Sequence, residues 1–297
     1  MIIVRLAGGM ANQMFPYAAA RRLAHRWQTE LKLDIRGLAA ERQQNLQFPR
    51  RYALDLFNIT GRIATDEEIE PFAAVRQRRG LAALRDFLGL APNPRRTWYR
   101  ERHFHFDPRV LALPDNVYLD GNWVCEKYFL DVADIIRSEY TLKQAPSGRN
   151  RELLEEVAAV ESVSIHIRRG DYAAVEKVRQ VHGVCEIGYY TECIRMLAEL
   201  VRDPHFFIFS DEPEWAKEHL RLRYPAVFVD HNSPEQGHED FRLMSSCRHN
   251  IVANSGFSWW AAWLNAHPGK IVLAPRTWVR TTKYNTKDLV PASWIRV

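Results

Sequence analysis

Apolar positions fall into short unbroken runs separated by stretches of helical spacing. The first run, "IIVRL" from Ile2, reads as a buried strand, "AGGMAN" as a glycine turn, "QMFPYAAARRLAHRW" as a helix and "ELKLDI" as a second strand. That succession is a βαβ opening. Pro16 lies close enough to the expected helix start to be tolerated there. The middle of the chain is less regular, with helical spacing over Thr65–Arg78, Leu81–Leu88 and Lys127–Glu139. "APSGRN", Ala145–Asn150, has the composition of a linker.

Beyond it the alternation resumes. Val163, Ile165 and Ile167 alternate with Ser164 and His166, the period of a strand with one face in the core. A helix follows over Tyr189–Val201, then the strand "HFFIFS" ending at Ser210. Asp211 with Glu214 three residues on makes a capping box for the helix "EPEWAKEHLRLRY". The strand "AVFVD", the helix "EDFRLMSSC", the strand "NIVANS" and the helix "FSWWAAWLN" complete the pattern. Strands alternating with helices imply parallel sheets. With 297 residues the expected fold is α/β, two Rossmann-like domains over residues 1–150 and 151–297 whose parallel sheets face a cleft.

Composition adds limits. Apolar residues make up 46% and charged residues 26%, ordinary globular values that argue against disorder. The opening is too short for a signal peptide and no run of about 18 apolar residues occurs, so a cytoplasmic protein is expected. Cys125, Cys185, Cys193 and Cys247 lack metal-site spacing and read as reduced thiols. The net charge of +5 is unevenly spread, with basic stretches at Val75–Gly80 and Asn93–Phe106. A solvated face explains such a patch as readily as an anionic partner. The arginines belong to no nucleic-acid motif, so no nucleic acid is expected. In Arg95–Arg102 they flank Trp98 and Tyr99, which suits peripheral contact with the inner face of a membrane.

The stretch "SIHIRRGDY" concentrates chemistry. His166 and Arg168 share a strand face, Arg169 follows, Gly170 permits a tight turn, and Asp171 stands beside two bases. This is either a surface ion pair or an anion site. Four strand ends, "HIRRGD", "FSDE", "FVDHN" and "ANSGFSWW", carry polar residues where ligands bind in open α/β sheets. Arg168 and Arg169 offer planar forks for phosphate. Ser255 and Ser258 stand at a helix start, either as an anion site or as a plain cap. Asp211, Asp230 and Asp240 are acceptors for a base or sugar. Trp259, Trp260 and Trp263 can stack on a ligand, but core packing is favoured for at least two. The absence of D-x-D disfavours a metal-bridged diphosphate. Asp34, at the end of the second strand, admits a nicotinamide-dinucleotide enzyme, against which the fingerprint is incomplete.

Together "GGMANQMFPYAAA", "HIRRGDY", "HGVCEIGYY", "FIFSDEPEWAKEHL" and "EDFRLMSSCRHNIVANSGFSWWAAWLN" resemble the bacterial α-1,2-fucosyltransferases of glycosyltransferase family 11, in order along nearly the whole chain. Met10 and Ala11 depart from the usual Leu-Gly of the first block. The resemblance implies a GT-B-like fold. It also implies metal-free, cofactor-free, inverting transfer of fucose from GDP-β-L-fucose to the 2-hydroxyl of a terminal β-galactoside, such as lactose or a β1,3- or β1,4-linked glycan, free or lipid-linked. Arg168 and Arg169 would hold the diphosphate, His166 would orient the donor, Asp240 would receive guanine, and Ser255 the phosphate or ribose. Ser210, Asp211, Asn254, Ser258, Gly8, Gly9 and Gln13 would complete the donor site, with Asn12 on the fucose side. Asp120, Trp123 and Glu126 would form an acceptor platform. Candidate general bases are Asp171, Glu176, His182 and Glu126. The rival readings are a nucleotide-sugar-binding protein without turnover and an NAD(P)-dependent Rossmann enzyme.

Overall fold

The computed structural model describes residues 1–38, 50–78 and 97–297. Two compact units account for the chain, Met1–Lys143 with Lys287–Leu289, and Gln144–Thr286 with Val290–Val297. The segment expected to be a linker lies inside the second unit, where Gly148 to Asn150 open a helix. The return of Lys287–Leu289 to the first unit had no sequence signal. There Asp288 accepts the Lys127 ammonium at 2.6 Å and the Phe106 N–H at 3.1 Å.

In the first unit, strands β1 (Ile2–Arg5), β2 (Leu31–Asp34), β3 (Arg62–Ile63), β4 (Thr97–Arg100) and β5 (Val117–Asp120) form a parallel sheet in the order β3-β2-β1-β5-β4. Ile2, Ile3 and Val4 are wholly buried, as a strand covered on both faces requires. Helix α1 (Met10–Trp27) starts before the sequence pattern suggests, which puts Pro16 at its seventh residue. The missing N–H deprives the Asn12 carbonyl, and Asn12 is exposed, so water can take its place. Helix α2 is Asp66–Arg78. The helix expected over Lys127–Glu139 is instead two single 3-10 turns, which bury Tyr128 and Val132, followed by α3 (Ala133–Glu139). The helical spacing at Leu81–Leu88 lies outside the described residues.

The second unit holds β6 (Glu161–Ile167), β7 (Pro204–Ser210), β8 (Ala226–Val229), β9 (His249–Ile251), β10 (Val272–Ala274) and β11 (Ile295–Arg296), parallel in the order β11-β10-β9-β6-β7-β8. Its helices are α4 (Gly148–Ala159), α5 (Gly170–Ala174), α6 (Glu176–His182), α7 (Ile187–Leu200), α8 (Pro213–His219), α9 (Gly237–Ser246) and α10 (Gly256–Leu264). Val163, Ile165 and Ile167 pack on Tyr190, Cys193 and Leu197 of α7. The alternate residues Ser162, Ser164 and His166 are buried too, so both faces of β6 are covered rather than one. On the polar face the two serines are hydrogen-bonded, Ser162 Oγ accepting the Arg248 N–H at 3.1 Å. Asn250 Nδ2 donates to Ser164 Oγ at 2.7 Å and to the Met244 carbonyl of α9 at 2.9 Å. Trp259, Trp260 and Trp263 all belong to the core.

Candidate active site

In the second unit the chain runs from β6 outward through β7 to β8, then returns to the other side of β6 with β9 and continues to β11. The order therefore reverses between β6 and β9, and the crevice beyond the carboxyl ends of those strands is where open α/β sheets bind ligands. Two polar segments flank it, His166–Asp171 at the end of β6 and Asn254–Ser258 after β9.

Arg168 stands at this point, but not as a bare cation. Its Nη2 donates to Asp171 Oδ1 at 2.6 Å, its Nη1 is 2.8 Å from Asp211 Oδ2 at the end of β7, and its guanidinium lies 5.4 Å from the Tyr172 ring centroid. Arg169 stacks on Trp215 at 3.7 Å, with its Nε 3.0 Å from Glu212 Oε2 and its backbone N–H donating to Asp211 Oδ1 at 2.9 Å. Two guanidiniums thus face three carboxylates. Burial raises the Asp211 carboxyl above its ordinary range, although Arg168 and the Arg169 N–H pull the other way. Burial opposes charge on Arg168 as well, and Asp211 and Asp171 outweigh it. The expected capping role of Asp211 is not observed. Helix α8 begins after Glu212, and Ser210 Oγ accepts the Glu212 N–H at 3.0 Å.

His166 is buried beside Phe257, with ring centroids 5.6 Å apart, and its Nδ1 has no partner. Burial and the Arg168 charge push its pKa down to about 3, so the ring is neutral. Ser255 caps α10, accepting the Phe257 N–H at 3.3 Å, and Ser258 donates to the Ser255 carbonyl at 3.4 Å. Asn254 is a fastener. Its Nδ2 donates to the carbonyls of His182, Gly183 and Trp278 at 3.0, 3.3 and 3.3 Å, and its Oδ1 accepts from Cys185 Sγ. This holds His182, whose ring stacks on Tyr172 with centroids 4.7 Å apart and whose Nδ1 is buried without a partner. Burial keeps His182 below the usual histidine range against the pull of Asp171. Glu176, by contrast, is exposed and engaged by Gln180 and Arg179, which hold it below the carboxylate range and make it a poor base.

Asp240 on α9 is pushed up to about 6 by burial, with Asn232 Nδ2 donating to its Oδ1 at 2.7 Å. Asn232 in turn exchanges hydrogen bonds with Asn150 at 2.8 and 3.0 Å. Asp230 pairs with Lys217 at 2.6 Å and stays outside this network. Glu212 and Asn232 belong to the polar strand ends "FSDE" and "FVDHN" without an individual role in the sequence reading, and Trp215, Tyr172 and Asn150 have none. Tyr172 was detectable as the neighbour of Asp171; the others meet the site only through the fold.

The first unit has its own reversal between β1 and β5, flanked by the glycine turn and by Asp120–Trp123. Gly8 has φ +71°, and a Cβ there would lie 2.7 Å from Asn12 Nδ2, so the turn needs glycine. Gly9 is the α1 N-cap. Several residues expected at ligand sites have structural tasks here. Gln13 is wholly buried and spends its amide on the carbonyls of Gly8 and Arg51 and the N–H of Ala53, at 2.9, 2.7 and 3.1 Å. Trp123 is wholly buried in a left-handed backbone conformation, φ 47°, and has no face to offer a sugar. Asp120 is held by Arg5 at 3.1 Å and Arg100 at 2.8 Å, while Glu126 opens a single 3-10 turn. Asp34 accepts from Arg36 and from Tyr118 Oη at 2.6 Å, which leaves neither oxygen for a ribose. Trp98 is buried against Tyr118, centroids 3.9 Å apart, so it cannot insert into a membrane. Arg95, Arg96 and the side chains of Val75–Gly80 lie outside the described residues. Among those described, no helix is long and apolar enough to cross a membrane.

The sequence model of glycosyl transferase family 11 matches residues 95–297. An alpha-1,2-colitosyltransferase from Escherichia coli is 32% identical, covering 100% of this chain and 99% of that protein. The chain belongs to glycosyl transferase family 11. A galactoside alpha-(1,2)-fucosyltransferase 1 from Lagothrix lagotricha is 28% identical over 57% of this family 11 chain and 49% of its own. Among solved structures, the NodZ alpha-1,6-fucosyltransferase soaked with GDP-fucose superposes with a TM-score of 0.50 at 17% identity, covering 89% of this chain and 92% of that one. The likeness fits a GT-B-like α/β fold with two parallel sheets. The protein is a fucosyltransferase-like glycosyltransferase.

Proposed function

We propose that this glycosyltransferase moves L-fucose from GDP-β-L-fucose to the 2-hydroxyl of a terminal β-galactoside, with inversion. One observation carries the reading: Arg168 stands at the strand-order reversal, held by carboxylates from two strand ends, with the α10 N-terminus on the adjoining strand. Asp171 takes one of its five N–H donors and Asp211 pairs with its charge, and the rest remain for phosphate oxygens. As the bond to fucose breaks, negative charge grows on the diphosphate. A guanidinium already fixed in place stabilises that charge without reorganising. The unpartnered His166 Nδ1 is a neutral group for a donor oxygen. Asp240 has the acceptor pair that guanine N1–H and N2–H require, and His182, neutral at pH 7, is the group best prepared to take the acceptor proton.

A second donor is favoured by the full-length relative. Colitose is fucose without its 3-hydroxyl, and a site that accepts one has the right ring configuration for the other. The test is incubation of the purified protein with GDP-fucose or GDP-colitose and with lactose or Gal-β1,3-GalNAc, following GDP release and product. An α-1,2-fucosylated product supports the reading. GDP binding without transfer from either donor makes the chain a nucleotide-sugar-binding protein. The absence of D-x-D leads us to expect turnover in chelator.

A further inference from the structure

A cavity of about 500 Å³ opens beside Arg169, with Ala173 and Val184 as apolar lining and Arg169, Arg179, Arg280 and Glu186 among its polar walls. One of its guanidiniums is fixed, Arg169 lying on Trp215. The more exposed Arg280 runs across Gly183, where a Cβ would collide with its Nε and where φ is +67°, and its Nη2 lies 3.7 Å from Glu186 Oε1. The Arg280 N–H donates to the Val181 carbonyl at 2.8 Å, and Asn254 ties the same two segments together through Gly183 and Trp278. Glycine at 183 is therefore what allows the wall to form.

We propose that this cavity receives the acceptor saccharide. The inference rests on the proposed function. Asp240 belongs to α9, which with α10 covers the His166 face of β6, whereas α7 packs on the opposite, Ile167 face and the cavity is lined by α5, α6 and the segment leading into α7. A donor with its base at Asp240 and its diphosphate at Arg168 directs its sugar end past the strand terminus toward the cavity. Arginine donors interleaved with Glu186 and Gln180 acceptors match vicinal hydroxyls, and the small apolar floor matches the C–H face of a sugar ring.

Arg280→Gln and Glu186→Gln test this, read by steady-state kinetics with GDP-fucose and the better of lactose and Gal-β1,3-GalNAc, beside GDP titration by calorimetry. The expected result for each is an acceptor KM raised about tenfold, kcat within about threefold, and GDP affinity within about twofold. Arg280→Lys should recover part of the loss. Acceptor KM unchanged in both, or GDP affinity falling as far as acceptor affinity, overturns the assignment. Wild-type protein that neither binds GDP nor transfers sugar fails at the GDP titration, which marks failure of the functional reading itself.

Discussion

Arg168 Nη1 lies 2.8 Å from Asp211 Oδ2, an ion pair joining the ends of two neighbouring strands, β6 and β7. The same carboxylate receives the Arg169 N–H, so Asp211 fixes both the guanidinium and the turn that presents it.

Gly170 guards this pair. A Cβ there would lie 2.5 Å from Asp211 Oδ2, and the short aspartate can escape only by leaving its donors. Gly170→Ala is expected to cost about 1 to 3 kcal/mol of stability and to lower turnover more than Asp211→Asn, which keeps an acceptor for the Arg169 N–H. Thermal melting and kinetics on both variants check the order.

Donor affinity should depend on pH through Asp240. Its carboxyl sits at about 6 because burial disfavours the charge. The ionised form is the one that accepts guanine N–H groups, so affinity is present above that value and is lost as pH falls through it, by about tenfold per unit well below. GDP-fucose is the ligand to titrate, since its diphosphate diester has no proton to exchange near pH 6. Asp240→Asn should bind weakly and flatten the profile. A wild-type affinity constant from pH 8 to 5 would remove Asp240 from the donor site.

His182 should set the acidic limb of kcat. Burial lowers its pKa, so the neutral ring survives below the ordinary histidine value of 6.5 and activity falls only as pH drops through the depressed value. His182→Gln is expected to lose about 100-fold in kcat with GDP affinity kept. A variant as active as wild type would remove His182 as the general base.

Much of this was legible in sequence where local pattern and tertiary need agree. The strands β1, β2, β6 and β7 were readable because apolar runs of β-branched and aromatic residues leave little choice, and "HIRRGDY" was readable because two arginines after a strand demand partners. The partners themselves were not. Asp211 and Glu214 satisfy a local capping rule, yet tertiary contact recruits Asp211 to arginines 42 and 43 residues away, and Glu212 stands at the N-cap with no side-chain cap bond. Gln13 and Trp123 misled for the same reason. A polar or aromatic side chain beside a glycine loop looks available until the fold buries it. The strand-order reversal, which locates the site, is a property of topology that no short motif displays.

Arg168→Lys tests the central claim most directly. Lysine keeps the charge but gives up the fork that serves Asp171, Asp211 and phosphate together. Turnover on GDP-fucose, measured beside GDP titration and melting, should fall about 100- to 1,000-fold, on the order of 3 to 4 kcal/mol, while GDP affinity and fold largely persist. A folded Arg168→Lys enzyme turning over within about threefold of wild type, a difference under about 1 kcal/mol, would show that Arg168 serves only its ion pairs and takes no part in stabilising the departing diphosphate.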